Sequence, residues 1–209
     1  MGVSATHLDW TMVPYVRKSF YKHYADGLRY IASRDVRYVQ EHVYDIINSP
    51  DCFEGCLSID SDWWKDDENV YQYALDMTTK ECYQAVEGMF HNLNTLQSRS
   101  GNQLPFSSIN FGTCTLPEGR MITKAILDTS IKGIGKLHRT SIFPCSIFQC
   151  MKGVNREQGD PNYDLFKLAL KSTAQRLYPN YANVDWSGNA GYDVNDPKTY
   201  FSTINKTVA

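Results

Sequence analysis

From residue 106 onward the chain alternates short strand-like runs with longer amphipathic ones, and that alternation leaves few folds open. Residues 106–113 (FSSINFGT) read as a strand ending at Gly112-Thr113. Thr115-x-x-Glu118, with Pro117 inside it, has the form of a capping box and predicts a helix to about Gly133. Residues 142–151 are almost continuously apolar, the pattern of a strand covered on both faces. Asp160-Pro161 opens another helix to about Tyr178, with apolar positions Leu165, Leu168, Ala169 and Leu177, and residues 181–186 read as a third strand. Helical crossovers join parallel strands, so the order β-α-β-α-β predicts an α/β fold with a parallel sheet.

The first of these strands is unusual. Side chains alternate along a strand, so Ser108 and Asn110 share one face while Ile109 and Phe111 share the other. In a closed parallel barrel one face points into the lumen, where polar groups meet ligands near the strand ends. There Ser108 and Asn110 either bind a polyhydroxylated or phosphorylated substrate or satisfy backbone groups, and both readings stand at this point.

The first hundred residues read as mainly helical. Val13, Val16, Phe20, Tyr24, Leu28 and Ile31 recur at steps of three and four and predict a helix over 13–31. Val36, Val39, Val43 and Ile46 or Ile47 predict another over 35–47, with Ser33 as its cap. Residues 48–67 combine Pro50, Gly55, a group of acidic residues and Trp63-Trp64, and read as a loop folded onto the core. A third helix is expected to begin at the capping box Thr78-x-x-Glu81 and to bury Cys82, Ala85, Val86, Met89, Leu93 and Leu96.

The net charge of −2 gives no general attraction to nucleic acid or membranes. No apolar run approaches the roughly 18 residues of a membrane span, and MGVSATHLDW lacks the pattern of a signal peptide. The six cysteines contain no CxxC pair, so neither a zinc site nor a disulfide framework is expected. Walker A, GxGxxG, HExxH and GxSxG motifs are absent, and the five histidines are dispersed. Arg17, Lys18, Lys22, His23 and Arg29 cover much of the first helix's polar surface, either as a solvated face or as a phosphate-neutralising one.

Several long strings resemble one family. FHNLNTLQSRSGNQLPFSSINFGT followed by PEGR, IFPCSIFQCMKGVN, GDPNYDLFKLAL and RLYPNYANVD are similar to the large subunit of anaerobic (class III) ribonucleoside-triphosphate reductase, in its phage-type branch. The stretch GVSATHLDWTMVPYVRKSF resembles the segment that opens that family's effector-binding helices. The similarity covers about residues 2–203.

The resemblance implies a ten-stranded α/β barrel, of which this chain holds the first half behind dimer and effector helices. Residues 1–100 would form the mainly helical effector region, 101–203 a βαβαβ half-barrel, and 204–209 a divergent tail, within one partial catalytic domain. The implied activity is conversion of ribonucleoside triphosphates to deoxyribonucleoside triphosphates by glycyl and thiyl radicals, with formate as reductant. Ser108 and Asn110 would bind substrate; Lys18, Lys22, Thr113, Thr115 and Arg120 would bind dNTP or ATP effectors. A homodimer, a radical-SAM activase as partner and a cytoplasmic location complete that expectation, with neither nucleic acid nor a membrane as a partner.

The departures are equally specific. After KTYFST the family continues Met-Gly-Cys-Arg-Thr, and its cysteine carries the thiyl radical; here the chain reads INKTVA. The glycyl-radical segment, the C-terminal zinc site, the ATP-cone and the first barrel strand with its redox-active cysteine are likewise expected to be absent, so no catalytic residue, metal ligand or bound cofactor is assigned. A fragment inactive alone is expected; a non-catalytic nucleotide-binding or dimerisation module and a nonfunctional truncation product are the alternatives.

Overall fold

The computed structural model describes residues 2–39, 41, 43, 57–95, 104 and 106–185. It is a mixed α/β structure whose parallel sheet has four strands: β1 (Gly2–Ala5), β2 (Phe106–Phe111), β3 (Cys145–Cys150) and β4 (Asn180–Asn183). Their order is β1-β2-β3-β4, with Ser4 beside Ser108, Asn110 beside Ile147 and Gln149 beside Ala182.

β1 corrects the sequence reading, which assigned Gly2 onward to the opening of the effector helices. Four residues are too few for alternation to register, and this strand exists because it pairs with β2, more than 100 residues later. The other strands are shorter than expected at their ends but lie where the pattern put them.

The helices are α1 (Leu8–Thr11), α2 (Val13–Tyr30), α3 (Val36–Val39), α4 (Glu68–Thr95), α5 (Pro117–Lys132) and α6 (Tyr163–Arg176). In α2, Val13, Val16, Phe20, Tyr24 and Leu28 form the buried stripe, while Ile31 lies beyond the helix and is exposed. The predicted helix 35–47 is described as α3, and most of its remainder lies outside the described residues. So do Pro50, Gly55, Leu96 and the tail 204–209.

α4 is ten residues longer at its start than the capping box at Thr78 implied. Thr78 is a fully buried mid-helix residue donating to the Ala74 carbonyl at 2.7 Å. The helix starts instead beside Asp67, whose carboxylate accepts from Val70 N at 3.3 Å. Val70 and Ala74 extend the buried stripe backward from Cys82, Val86 and Phe90, and packing against α2 decides the outcome. Gly27 permits that packing, because a Cβ there would lie 2.9 Å from Val70 Cγ1.

Residues 62–66, read as loop, form a 3₁₀ turn (Asp62–Asp66). Trp64 is buried against Phe20, Tyr21 and Tyr24, with ring centroids 4.8–5.4 Å apart, and donates Nε1–H to the Ser58 carbonyl. Trp63 stays partly exposed.

The second capping box also fails. Thr115 is exposed, the residue before α5 makes no side-chain cap, and Glu118 turns inward. Its Oε1 accepts from Arg17 Nε at 2.8 Å, Ser58 Oγ at 2.9 Å and Ile59 N at 3.0 Å. An ion pair to another helix outcompetes a local cap here.

Ile109, Phe111 and Phe148 face the helices, where they pack with Val86, Phe90, Ile126 and Ala169. The strand order never reverses, and with the usual hand of crossover such an order keeps the helices on one face of the sheet. The other face carries the site.

Candidate functional site

Neighbouring residues in a parallel sheet point to the same side, so the registers assign Ser4, Ser108, Asn110, Ile147, Gln149 and Ala182 to the face opposite the helices. This face is not a solvated surface. Asn110 and Gln149 are completely buried, as nearly are Ile147 and Ala182. Ser108 is half-buried and donates to Ser4 Oγ at 2.9 Å. Ser108 and Asn110 therefore share a face, as their spacing predicts. Asn110 finds no hydrogen-bond partner for either amide atom, and neither does Gln149.

At the C-terminal end of β2, residues 112–114 form a braced turn. Asp9 Oδ2 accepts from Gly112 N and Cys114 N, each at 2.9 Å, and its Oδ1 accepts from Trp10 N at 3.1 Å. Asn155 Nδ2 donates to the carbonyls of Gly112 and Gln149; Asn162 Nδ2 donates to those of Gly112 and Cys114. Gly112 has φ +119°, a conformation L side chains avoid, and Phe148 stands 3.0 Å from where its Cβ would be. Burial pushes the Asp9 carboxyl up despite these three amide donors.

The five proposed effector residues do not converge. Lys18 and Lys22 line a groove of about 400 Å³ between α2 and α4, with an apolar floor that includes Met12, Val16, Ala85 and Ile122. Glu81 also lines it, bonded to Ser19 and, at 3.0 Å, to His23 Nε2, and these bonds lower its carboxyl pKa. Thr113, Thr115 and Arg120 are not part of that groove. Thr113 is buried and accepts from Trp10 Nε1 at 3.1 Å. Arg120 is bound to the start of α6 through the Pro161 carbonyl, Asn162 Oδ1 at 2.6 Å and Asp164 at 2.8 Å.

Among the described residues, Cys82, Cys114, Cys145 and Cys150 carry free thiols, and no group of three or more His, Cys, Asp or Glu side chains is arranged to hold a metal. Burial pushes Cys82 up to about 11 and Cys114 up to about 12, so both remain protonated thiols at neutral pH. Cys52 and Cys56 lie outside the described residues.

The sequence reading missed Gln149, Asp9, Asn155 and Asn162. Gln149 carried a usable signal: it is a polar residue in an apolar run, at the same alternation as the inward Ile147. The other three are recognised only through partners distant in sequence.

The profile of the anaerobic ribonucleoside-triphosphate reductase family matches residues 1–199. The anaerobic ribonucleoside-triphosphate reductase of Haemophilus influenzae is 33% identical over 184 residues, covering 88% of this chain and 21% of that protein. That of Escherichia coli is 42% identical over 113 residues, or 54% and 16%. That of enterobacteria phage T4 is 32% identical over 179 residues, or 86% and 24%. The chain thus matches less than a quarter of the length of each. No helix among the described residues is long and apolar enough to cross a membrane.

Proposed function

The chain belongs to the anaerobic ribonucleoside-triphosphate reductase family, and on that premise we propose that it supplies part of the barrel in which ribonucleoside triphosphates become deoxyribonucleoside triphosphates. The observation that carries this reading is the sheet's buried polar face. Strands in sequential order with helices on one side are the arrangement that closes into a barrel, and the opposite face then lines its interior. In this reading residues 101–203 are the half-barrel, and Ser108 and Asn110 bind substrate. The rest of residues 1–100, after the strand Gly2–Ala5 that joins this sheet, form the dimer and effector region.

The whole enzyme's chemistry is proposed to run through a glycyl radical installed by a radical-SAM activase and a thiyl radical, with formate as reductant, in the cytoplasm. This chain's own residues serve binding and orientation. Lys18 and Lys22 on the rim of an apolar groove suit a nucleotide, whose base contacts the floor and whose phosphates pair with the ammonium groups. Thr113, Thr115 and Arg120 belong to the turn and helix start that follow the substrate strand, which suits them to respond to an effector. The groove also favours a second reading, a nucleotide-binding and dimerisation module without catalysis.

Equilibrium titration of the chain with a ribonucleoside triphosphate and with dATP tests the proposal. Asn110→Leu is expected to weaken the ribonucleotide about tenfold, and the K18A/K22A double variant to weaken dATP at least as much. Loss of dATP binding alone, with Asn110→Leu silent, favours the module. A chain that binds neither nucleotide overturns both readings.

A further inference from the structure

We propose that Asn110 and Gln149 act together as an amide pair that reads the ribose hydroxyls of the bound nucleotide, making Gln149 a substrate-recognition residue. The inference rests on the reading of this face as the substrate side.

Four polar atoms, the Oδ1 and Nδ2 of Asn110 and the Oε1 and Nε2 of Gln149, are buried without a partner. Among the described residues no other buried side-chain amide is unpartnered at both atoms. A buried polar group that nothing answers destabilises the fold, so the retention of these two asks for a reason.

Their placement supplies one. Asn110 pairs with Ile147, so Gln149 stands two residues further along the adjacent strand on the same face. Diagonal neighbours of this kind lie roughly 7–8 Å apart at their backbones, within the span of two long side chains. Both strand segments approach their C-terminal ends, where ligands bind in parallel sheets. Asn155 holds the Gln149 carbonyl and the Gly112 carbonyl together, joining the end of each strand through one buried side chain.

The chemistry of the face selects the part of the ligand. No strand residue that the registers place on it, Phe106, Cys145 and Asn180 included, is a cation, so it is poorly suited to phosphate. A neutral amide offers one acceptor and two donors, which match the donor and acceptor character of vicinal hydroxyls. A ligand lacking those hydroxyls leaves the amides unanswered, and such sites discriminate strongly.

The test compares CTP with 2′,3′-dideoxy-CTP by titration of the full chain, for wild type and for Gln149→Met, a near-isosteric apolar replacement, with thermal unfolding of each protein. Wild type is expected to prefer CTP by about tenfold or more, and Gln149→Met to reduce that preference to under about twofold without lowering Tm. An unchanged preference in Gln149→Met overturns the amide-pair assignment while leaving the substrate-face reading intact, since CTP still binds. A fall in Tm with the preference kept marks Gln149 as structural and also overturns it. A wild-type chain that binds neither nucleotide overturns both the inference and the reading beneath it.

Discussion

The two faces of the sheet are made from the same four strands and obey opposite rules. On the helix side, Ile109, Phe111 and Phe148 are buried among aliphatic and aromatic partners, with the Phe111 and Phe148 rings edge to face at 6.0 Å. On the other side, Asn110 and Gln149 are buried just as completely and have no partners. Burial therefore does not by itself identify a core. The helix side stabilises the fold through removal of apolar area from water, and the opposite side costs stability that a bound polar ligand would recover.

The largest expected effect lies on the helix side. Phe148→Ala should lose about 3–5 kcal/mol in urea denaturation, because it empties the centre of the helix–sheet packing. A loss under 1 kcal/mol would erase the contrast between the faces. Next comes Arg17→Met, which leaves the buried Glu118 carboxylate without its guanidinium and should cost about 2–3 kcal/mol, somewhat below a fully buried pair because Arg17 is 15% exposed. That substitution sharpens the comparison, since it takes one of three donors from a buried group and leaves Ser58 and Ile59 in place.

On the opposite face the sign reverses. Asn110→Leu should leave stability unchanged or raise it by about 1 kcal/mol, because two unanswered polar atoms are removed. Destabilisation would mean that the face is built for structure after all.

Asp9 gives a pH-dependent version of the same contrast. Burial holds its carboxyl above the ordinary 3.8, so the folded state favours the proton. Its contribution is fully present below pH 3.8 and is lost as pH rises through the elevated folded value. The stability difference between wild type and the non-titrating Asp9→Asn variant, followed by denaturation from pH 3.5 upward, should fall with pH. A difference that rises would show the amide donors outweighing burial. The smallest effect belongs to a position off both faces: Leu177, 82% exposed with φ +65°, should gain about 0.5 kcal/mol on Leu177→Gly.

Much of the fold was legible wherever local signals agreed with packing. The alternation in FSSINF and the stripe Val13 to Leu28 appear as predicted, and the apolar run 142–151 holds a strand over 145–150. Both capping boxes failed for one reason. Thr78 lies on a stripe that packing extends backward to Val70, and Glu118 is drawn inward by Arg17 from a hundred residues away. The candidate site was half legible: Ser108 and Asn110 stood out by alternation, while Asp9, Asn155 and Asn162 act through a turn assembled from three separate segments.

The sequence alone determined the period of β2, β3 and the longer helices, the parallel sense of the sheet from its helical crossovers, and which side chains of β2 share a face, because those properties depend on residues within a few positions of one another. Only the tertiary structure decided that Gly2–Ala5 is a strand, that Glu118 pairs with Arg17, and that Asn110 and Gln149 are buried without partners on one face of adjacent strands. Those outcomes are set by groups brought together across long stretches of chain, and no local pattern encodes which distant surface a side chain will meet.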